Sequence, residues 1–324
     1  MKEDARWLSA AAALAARARP LSRPNPGVGA ILVKQDKVIA RGWTQPGGRP
    51  HAEAMALAAV GEAARGATLY VTLEPCAHRS ERGPACADLV SASGVARVVI
   101  GCMDPDPRTS GAGLSRVREA GIAAEYLPSP ACERSLSGYL LSKRLGRPEV
   151  TLKLALSLDG CMAMANGESQ WITGAQARAH THAMRAKADA ILVGGGTLRA
   201  DNPRLDVRLP GLADRSPERW VLTRGEAPEG WRALHSPEAI SSMEGVQHLF
   251  VEGGAVTATA FLAAGLVDRL LLYRAPILVG GRPALGDYGL ARLADAHARW
   301  NLTERRQLGS DTLEVYDAQN SNGK

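Results

Sequence analysis

Four residues in the first third of the chain have side chains that could bind a metal ion and move a proton beside it. His51 and Glu53 stand in "RPHAEAMALA", and Cys76 and Cys86 follow in "TLEPCAHRSERGPAC". Zinc binds imidazole nitrogen and thiolate sulfur, and a catalytic zinc site keeps three protein ligands so that water can take the fourth position. A carboxylate nearby can take a proton from that water and pass it to a leaving amine. We therefore predict a catalytic zinc centre, with His51, Cys76 and Cys86 as ligands and Glu53 as the proton carrier.

The elements predicted around these residues place them at the ends of helices and strands. Helices are predicted over 51–64 and 86–93, with a strand over 67–74 between them. His51 and Cys86 therefore begin helices, and Cys76 follows a strand. The partial positive charge at a helix N-terminus lowers the pKa of a nearby thiol and favours the thiolate that binds metal. The alternative is a histidine that caps a helix and two structural thiols without a metal.

The length of the chain indicates two domains. A chain of 324 residues exceeds what one hydrophobic core usually organises. Strands alternate with helices in both halves, which predicts layered α/β folds. A helix is predicted over 131–145, and the turn-forming "GRP" at 146–148 follows it. We therefore predict domains over 1–146 and 147–324.

The second half contains a polar residue and a glycine pair that could contact a ligand. Strands are predicted over 149–160 and 188–196, and Lys153 is the odd polar member of the first, where its amine could donate to a substrate. Gly253 and Gly254 precede a predicted helix, whose N-terminus can receive a phosphate. No GxGxxG motif opens a βαβ unit, so a Rossmann domain is not expected. The polar tail, 317–324, is predicted to lack fixed structure.

Composition and charge exclude several classes of protein. The formal net charge of +6 fits phosphorylated ligands or, less well, nucleic acid, because the arginines are scattered. Five cysteines without a disulfide-like spacing favour a reducing compartment. Glu3, Asp4, Arg17 and Arg19 argue against a signal peptide and favour an amphipathic first helix. No apolar run approaches transmembrane length. We expect a cytoplasmic protein that does not bind a membrane.

The order of "HAE", "EPC" and a later cysteine resembles the zinc-dependent nucleobase deaminases, in which hydroxide attacks the amine-bearing ring carbon and ammonia leaves. Nine residues separate Cys76 from Cys86, and this long loop is similar to that of the riboflavin-pathway pyrimidine deaminases. The loop here is one residue longer than in that family and lacks its usual glycine and threonine. The resemblance implies that Arg82 and Asn25 contact the pyrimidine.

The second half resembles the reductase of the same family, the bifunctional riboflavin-biosynthesis deaminase-reductases. The similar segments are "LKLALSLDG", "ESQWITG", "ILVGGGTLRADNPRLDVR" and "VEGG". The resemblance implies a cytidine-deaminase-like three-layer domain followed by a dihydrofolate-reductase-like α/β domain. It implies two reactions in sequence: a diaminopyrimidinone ribosylamine phosphate loses its ring amine, and NADPH then reduces the ribosyl group to ribityl.

Residue roles in the reductase follow from the same resemblance. The residues that would face NADPH are Ala155, Trp171, Thr197, Asp201 and the run from Gly254. The residues that would face the substrate are Ser169, Arg185, Leu205, Arg208 and Glu252. Guanidinium groups such as those of Arg185 and Arg208 suit phosphate oxygens. Thr223 and Arg224 replace the family's usual Asp-Ser pair, and Arg224 could supply a cation for the 2′-phosphate of NADPH.

Two other functions fit parts of the sequence. One is a deaminase that acts on tRNA or another nucleic acid and carries an accessory C-terminal module, which would bind RNA with a strong salt dependence. The other is a protein in which zinc is purely structural. We favour the bifunctional enzyme, with a phosphorylated pyrimidine as substrate, no nucleic acid as partner, and a homodimer formed through the reductase domain as the family suggests.

Overall fold

The computed structural model of the protein describes residues 2–78 and 80–319. The chain divides into two units, one that ends at Gly146 and one that begins at Arg147. Gly146 closes the last helix of the first unit in a left-handed conformation, with φ of 65°, which glycine adopts without steric cost. The division therefore falls at the "GRP" turn, where the sequence predicts a domain boundary.

The first unit is built on a five-stranded sheet in the order β2-β1-β3-β4-β5. Its strands are β1 (Gly29–Lys34), β2 (Lys37–Trp43), β3 (Thr68–Val71), β4 (Arg97–Ile100) and β5 (Ala123–Tyr126). Its helices are α1 (Lys2–Ala15), α2 (Ala52–Val60), α3 (Cys86–Ala92), α4 (Ala112–Glu119), α5 (Pro130–Ser135) and α6 (Ser137–Leu145). The strands β3, β4 and β5 run parallel, while β1 is antiparallel to both β2 and β3.

Helices cover both faces of this sheet and form three layers. Helices α1 and α5 contact each other on one side, and α2, α3 and α4 contact one another on the opposite side. Two glycines allow this close packing. A Cβ atom at Gly29 would lie 2.0 Å from the carbonyl oxygen of Ala11 in α1, and a Cβ atom at Gly42 would lie 2.1 Å from that of Ala52 in α2. Gly42 therefore lets the start of α2, which carries His51 and Glu53, lie directly on β2.

The prediction of one helix over 131–145 is wrong. Two helices, α5 and α6, meet at Leu136, which has φ of −107° and ψ of 5°. Leu136 is buried, with 2% of its surface exposed, and belongs to the hydrophobic core of the unit. The apolar periodicity of the sequence is continuous across this break, so the periodicity alone could not reveal it.

The second unit is built on an eight-stranded sheet in the order β10-β9-β8-β11-β6-β12-β15-β14. The strands of the unit are β6 (Glu149–Leu156), β7 (Cys161–Ala163), β8 (Ala190–Gly194), β9 (Glu218–Leu222), β10 (Arg232–Leu234), β11 (His248–Val251), β12 (Arg269–Arg274), β13 (Arg282–Pro283), β14 (Trp300–Leu308) and β15 (Asp311–Ala318). Its helices are α7 (Ala175–Arg185), α8 (Gly195–Asp201) and α9 (Ala255–Ala263). The small strands β7 and β13 form a separate pair.

Six neighbouring strands of the large sheet, β10 to β12 in spatial order, run parallel, and β15 and β14 are antiparallel. Each face of the sheet carries its own core. Residues of α9 pack on one face around Phe261, and residues of α7 pack on the other around Tyr273. Because the strands are parallel, β6, β8, β9, β11 and β12 all present their carboxyl ends at one edge, where open α/β sheets usually bind ligands.

Three predictions for the second half need correction. The strand predicted over 149–160 ends at Leu156. The strand predicted over 188–196 ends at Gly194, because Gly195 and Gly196 begin α8 instead. Part of the tail is ordered, since Asp317 and Ala318 pair with β14 as the end of β15; residues 320–324 lie outside the described residues. Across 2–78 and 80–319, no helix is long and apolar enough to cross a membrane.

Candidate active sites

The three predicted metal ligands lie together in the first unit. His51 is the N-cap of α2, Cys76 follows the end of β3, and Cys86 is the first residue of α3. The Nδ1 atom of His51 lies 3.3 Å from Sγ of Cys86 and 3.6 Å from Sγ of Cys76. All three ligand atoms lie within 4.8 Å of one another. The structure therefore brings one imidazole and two thiols to a single point, although the first and the last lie 35 positions apart in the sequence.

The donor set fits zinc. One nitrogen and two sulfur ligands match a catalytic zinc site, which leaves a fourth position open. Both cysteines are buried, while His51 is half-buried. His51 Nδ1 faces the sulfurs, and its Nε2 atom lies 3.3 Å from the side-chain amide of Asn25.

The two thiols differ in acidity, and the start of α3 contributes to the difference. Cys76 accepts hydrogen bonds from the Cys86 thiol, from His51 and from the backbone N–H of Cys86, which lies 3.3 Å from Cys76 Sγ. These contacts outweigh burial and lower the pKa of Cys76 below that of an ordinary thiol. The pKa of Cys86 is raised because its thiol donates to Cys76 and because it is buried. The Cys86 thiol is the largest cause, and the backbone N–H at the start of α3 adds to it at Cys76, whereas the sequence predicts that the helix start acts on Cys86 itself.

Glu53 lies in the first turn of α2 and is 3% exposed. Its carboxyl group contacts the Cys86 thiol. Burial, opposed in part by His51 and reinforced by Cys76, raises the pKa of Glu53 to about 7. A carboxyl group with a pKa near neutrality can both accept and donate a proton. The geometry therefore suits the predicted role of Glu53 as a proton carrier.

Asn25 and Arg82 meet the same glycine turn beside this site. Asn25 donates to the carbonyl oxygen of Gly48 at 2.9 Å, and Arg82 donates to that of Gly47 at 2.6 Å. A Cβ atom at Gly48 would lie 2.6 Å from Cγ of Asn25, and the φ of Gly48 is 84°. Position 48 therefore requires glycine for two reasons, the close approach of Asn25 and the left-handed backbone conformation. The sequence shows the signal in "PGGRPHAE", but its relation to Asn25 appears only in the fold.

The enlarged loop between the cysteines is tied to that turn. Arg82 reaches Gly47, and Arg49 donates to the carbonyl oxygen of Pro84 at 3.3 Å. Ser80 and Gly83 form an isolated bridge within the loop. In this arrangement the Arg82 guanidinium holds the loop, and the contact with the pyrimidine that the resemblance implies stays a prediction.

The second unit brings three predicted residues together at the carboxyl edge of its sheet. Lys153 Nζ lies 3.9 Å from Oε2 of Glu252. Arg185, at the end of α7, donates to the same carboxylate through Nε at 2.6 Å and Nη2 at 3.0 Å. Each of the three side chains is less than one-fifth exposed. Burial favours the neutral carboxyl, but Lys153 and Arg185 outweigh it and lower the pKa of Glu252.

The period-two pattern of β6 explains the position of Lys153. Residues 150, 152, 154 and 156 face the core around Phe261, so Lys153 and Ala155 face the opposite side, towards α7. Burial lowers the pKa of Lys153; Glu252 raises it, and Arg185 lowers it further. A lysine in such surroundings can give up its proton more readily than one in water.

The two arginines predicted to bind the substrate phosphate are placed differently. The donors of Arg185 are already used, because Nη1 donates to the carbonyl oxygen of Asp206 at 3.0 Å in addition to the two contacts with Glu252. Arg208 pairs with the carboxylate of Asp206 at 2.9 Å and is about half exposed. Leu205, which precedes Asp206 in the sequence, is buried and has a φ of 53°. Asp206 thus connects both arginines, and no motif in the sequence distinguished it.

The residues predicted to face NADPH lie at the ends of several strands. Thr197 is in the first turn of α8, and Gly254 is the N-cap of α9; a Cβ atom at Gly254 would lie 3.3 Å from Oγ1 of Thr197. Asp201 is the last residue of α8. Arg224 is exposed, two residues beyond the end of β9. The starts of α8 and α9 therefore meet where two parallel strands end.

Ser169 and Trp171 lie in the segment before α7. Ser169 is half-buried. Trp171 is 65% exposed, and the guanidinium of Arg178 lies 4.8 Å above its ring. Trp171 and Arg178 line a cavity of about 390 Å³ together with Ile277. The structure thus leaves an open apolar surface at Trp171 beside a cation.

Family models match both halves of the chain. Residues 1–102 match the cytidine and deoxycytidylate deaminase zinc-binding region. Residues 148–313 match the RibD C-terminal domain. The second match covers the part of the chain in which a nucleic-acid deaminase would need an accessory binding module, so the tRNA deaminase alternative is not favoured.

Relatives match over nearly the whole chain. The riboflavin biosynthesis protein RibD of Escherichia coli K12 is 38% identical over 95% of this chain and 98% of that protein. RibD of Mycobacterium tuberculosis H37Rv is 37% identical over 90% of each chain. Among solved structures, a form of RibD from Acinetobacter baumannii is 33% identical with a TM-score of 0.85, covering 98% of this chain and 99% of that one. A Thermotoga maritima diaminohydroxyphosphoribosylaminopyrimidine deaminase/5-amino-6-(5-phosphoribosylamino)uracil reductase is 29% identical with a TM-score of 0.87 over the same shares.

These matches confirm the resemblance seen in the sequence and the predicted fold class, a cytidine-deaminase-like domain followed by a RibD reductase domain. They also confirm Zn²⁺ and NADPH as the cofactors. The chain belongs to the RibD family and is a bifunctional enzyme of riboflavin biosynthesis, with a zinc-dependent deaminase and an NADPH-dependent reductase.

Proposed function

We propose that residues 1–146 deaminate 2,5-diamino-6-ribosylamino-4(3H)-pyrimidinone 5′-phosphate and that residues 147–324 then reduce its ribosyl group to ribityl. The observation that carries the first step is the contact between a buried carboxyl group, Glu53, and the cluster of His51, Cys76 and Cys86. The observation that supports the second is the ion-paired group of Lys153, Glu252 and Arg185 at the carboxyl edge of the parallel strands. The names of the relatives describe both reactions.

In the deaminase, His51, Cys76 and Cys86 would hold the zinc ion, which would supply the Lewis acidity that makes water a stronger nucleophile near neutral pH. Glu53 takes a proton from the attacking water and delivers it to the amine that leaves as ammonia, a double role for which a pKa of about 7 is suited. Asn25, beside His51, binds the edge of the pyrimidine. Arg82 binds the substrate by exchanging its contact with Gly47.

In the reductase, NADPH would supply the hydride that reduces the ribose-derived carbon, and Lys153 would donate a proton to the sugar oxygen. Glu252 stays ionised and holds the Lys153 amine at the substrate. Arg208 binds the 5′-phosphate, because its guanidinium is about half exposed. Arg185 contributes mainly by fixing Glu252, since its donors are already directed to Glu252 and Asp206. Ser169 and Leu205 complete the substrate surface.

NADPH binds along the carboxyl ends of the strands. The starts of α8 and α9, with Thr197 and Gly254, receive its phosphates through backbone N–H groups and the helix dipoles. Ala155 lies on the face of β6 that carries Lys153, and it would contact the cofactor there. Trp171 and Asp201 would also contact NADPH. The exposed Arg224 supplies the cation for the 2′-phosphate.

The reductase unit also forms a homodimer in this proposal. Leu158, Ile277 and Leu278 are 54%, 40% and 77% exposed, and they are close together because the backbone N–H of Leu158 donates to the carbonyl oxygen of Ile277 at 2.8 Å. An exposed apolar patch of this kind marks an interface. Sedimentation equilibrium should give about twice the chain mass of 34.2 kDa, and a mass that stays at the monomer value would contradict the dimer.

The enzyme acts in the cytoplasm and binds no nucleic acid. All five cysteines are buried free thiols, which supports a reducing compartment. The excess positive charge serves the phosphates of the substrate and of NADPH, through residues such as Arg208 and Arg224. RNA binding that falls steeply with salt would contradict this assignment.

The direct test of the two activities is to incubate the zinc-loaded protein with the pathway pyrimidine and NADPH, and to measure ammonia and ribityl product separately. We expect both products, with ammonia released first and NADPH consumed only after it. Ammonia release without NADPH consumption, or consumption before any ammonia appears, would contradict the proposed sequence.

A further inference from the structure

An aromatic ring lies beside Lys153 on the same face of the large sheet. Tyr273 is on β12, the neighbour of β6, with Tyr273 opposite Ala155 and Leu271 opposite Lys153 in the register. The Nζ atom of Lys153 lies 5.9 Å from the centroid of the Tyr273 ring. An ammonium at this distance is attracted by the ring quadrupole, and the attraction is stronger when both groups are shielded from water. The ring thus adds a contact to the amine that the Glu252 carboxylate does not provide.

Tyr273 is held in place by hydrogen bonds that lead away from the site. The residue is fully buried, and its hydroxyl oxygen lies 2.7 Å from Nδ1 of His180 on α7. The other ring nitrogen of His180, Nε2, lies 3.2 Å from Nη2 of Arg306 on β14. A guanidinium can only donate, so Nε2 accepts from Arg306, and Nδ1 carries the imidazole proton and donates to Tyr273. The two hydrogen bonds therefore run in one direction, from Arg306 to His180 and from His180 to Tyr273.

The charged and titratable groups around Lys153 come from three other elements. Glu252, after β11, stabilises the ammonium, and Arg185 on α7 destabilises it. His182, also on α7, acts on Glu252. Tyr273 is a phenol whose pKa is raised by burial, so its ring faces the amine as a neutral group. Glu252 and the Tyr273 ring thus favour the protonated amine of Lys153, whereas burial and Arg185 oppose it.

We propose that Tyr273 is a positioning residue of the reductase: its ring, anchored by His180 and Arg306, holds the Lys153 ammonium towards the substrate and keeps it protonated. This inference rests on the proposed role of Lys153 as the proton donor. It assigns a function to three residues that lie outside the predicted substrate and cofactor contacts.

The test compares Tyr273→Leu, which removes the ring, with Tyr273→Phe, which keeps the ring and loses the hydroxyl group. Reduction is measured with deaminated substrate and NADPH between pH 6 and 10. In Tyr273→Leu we expect kcat to fall between about three- and thirtyfold, with KM for both substrates unchanged. The basic limb of the pH profile should move to lower pH by about one pH unit, because the ring stabilises the charged amine. Tyr273→Phe keeps the ring but loses its hydrogen bond to His180, so we expect it to move the limb in the same direction by less than Tyr273→Leu and to keep most of kcat.

A matched control removes a buried ring elsewhere in the unit. Phe261→Leu, in the core on the other face of the sheet, should lower stability and leave the basic limb where it is. If Tyr273→Leu keeps the wild-type limb, or loses no more activity than Phe261→Leu, the inference is wrong. If Tyr273→Leu does not fold, the ¹³Cε resonance of Lys153, identified by its loss in Lys153→Met, gives the lysine pKa in the wild type and in His180→Ala. A lower pKa in His180→Ala supports the anchored ring, and an unchanged pKa overturns it.

Failure of the proposed function would look different. If Lys153→Met retains the wild-type kcat for reduction, Lys153 is not the proton donor. That result would contradict the proposed function independently of the Tyr273 variants. If Lys153→Met is inactive while the Tyr273→Leu profile is unaltered, the proton donor stands and only the positioning role is lost.

Discussion

The two sites each contain a buried glutamate, and the two carboxyl groups have opposite acidities. Glu53, 3% exposed, lies beside two thiols and a half-buried imidazole, and its pKa is raised to about 7. The Glu252 side chain, 10% exposed, lies between an ammonium and a guanidinium, and its pKa is lowered. Burial acts in the same direction on both. The neighbours therefore decide whether a buried carboxyl group exchanges protons near neutral pH or stays charged.

This difference suits the chemistry proposed for each site. Deamination needs a group that takes a proton from water and returns it to the leaving amine, which requires a pKa near the working pH. The proposed reduction uses a fixed anion that keeps Lys153 in position, and an ionised carboxylate at Glu252 would do this throughout the neutral range. Environments that separate the pKa values of similar groups in this way identify their roles.

The largest expected effect comes from removing a metal ligand. Cys76→Ala should lower ammonia release by more than about a thousandfold, because the donor set loses the thiolate that the start of α3 stabilises. Zinc content should fall from about one per chain, and reduction of supplied deaminated substrate should be unchanged. Cys102→Ala is the matched control, since Cys102 is a buried free thiol outside the ligand group. Equal losses of ammonia release in the two variants would contradict the assignment of Cys76 as a metal ligand distinct from structural thiols.

A smaller effect is expected from neutralising the other glutamate. Glu252→Gln leaves Lys153 and Arg185 buried without their common anion, which should lower the free energy of unfolding of the second unit by about 3 kcal/mol at pH 7. Glu226→Gln, at an exposed position in the same unit, should change it little.

The pH dependence gives the sign of this interaction. The pKa of Glu252 is lowered in the folded protein, so its stabilising contribution is fully present above the ordinary glutamate pKa of about 4.3 and is lost as the pH falls through the folded value. Wild type and Glu252→Gln should therefore differ most near neutrality and converge in acid. Urea unfolding at several pH values measures this, and a gap that widens in acid would contradict the assigned ion pairs.

The smallest effect tests the cofactor preference of the second site. Arg224→Ala should raise KM for NADPH by about tenfold, which corresponds to about 1.4 kcal/mol for one lost contact to phosphate. KM for NADH should stay the same, because NADH lacks the 2′-phosphate. Initial rates with both cofactors decide the matter, and equal losses for the two would mean that Arg224 does not contact that phosphate.

The first site could be predicted from the sequence to a greater extent than the second. His51, Cys76 and Cys86 carry donor atoms of restricted chemistry in a recognised order, and each stands at the end of an element whose pattern is clear. The second site depends on residues that are common in every protein. Lys153 stood out only because it interrupts an alternating strand, and the partnership of Glu252 with Arg185 requires the order of β11 and β6 and the packing of α7.

The remaining differences have local physical causes. The break at Leu136 goes against the continuous apolar pattern, and this residue packs in the core of its unit. Helix α8 begins at Gly195 despite the low helix propensity of glycine. Tyr273 and His180 gave no signal, since an aromatic residue in a strand is ordinary. Their relation to Lys153 follows from strand register, which the sequence does not specify.

The most direct test of the central claim is to measure ammonia release and NADPH oxidation in Glu53→Gln, using the pathway pyrimidine for the first and deaminated substrate for the second. Glutamine keeps the size of the side chain and cannot carry the proton. We predict that ammonia release falls by at least a hundredfold, while NADPH oxidation and zinc content stay at wild-type values. Unchanged ammonia release, or loss of both activities together, would contradict the assignment of two independent sites with a proton-carrying Glu53.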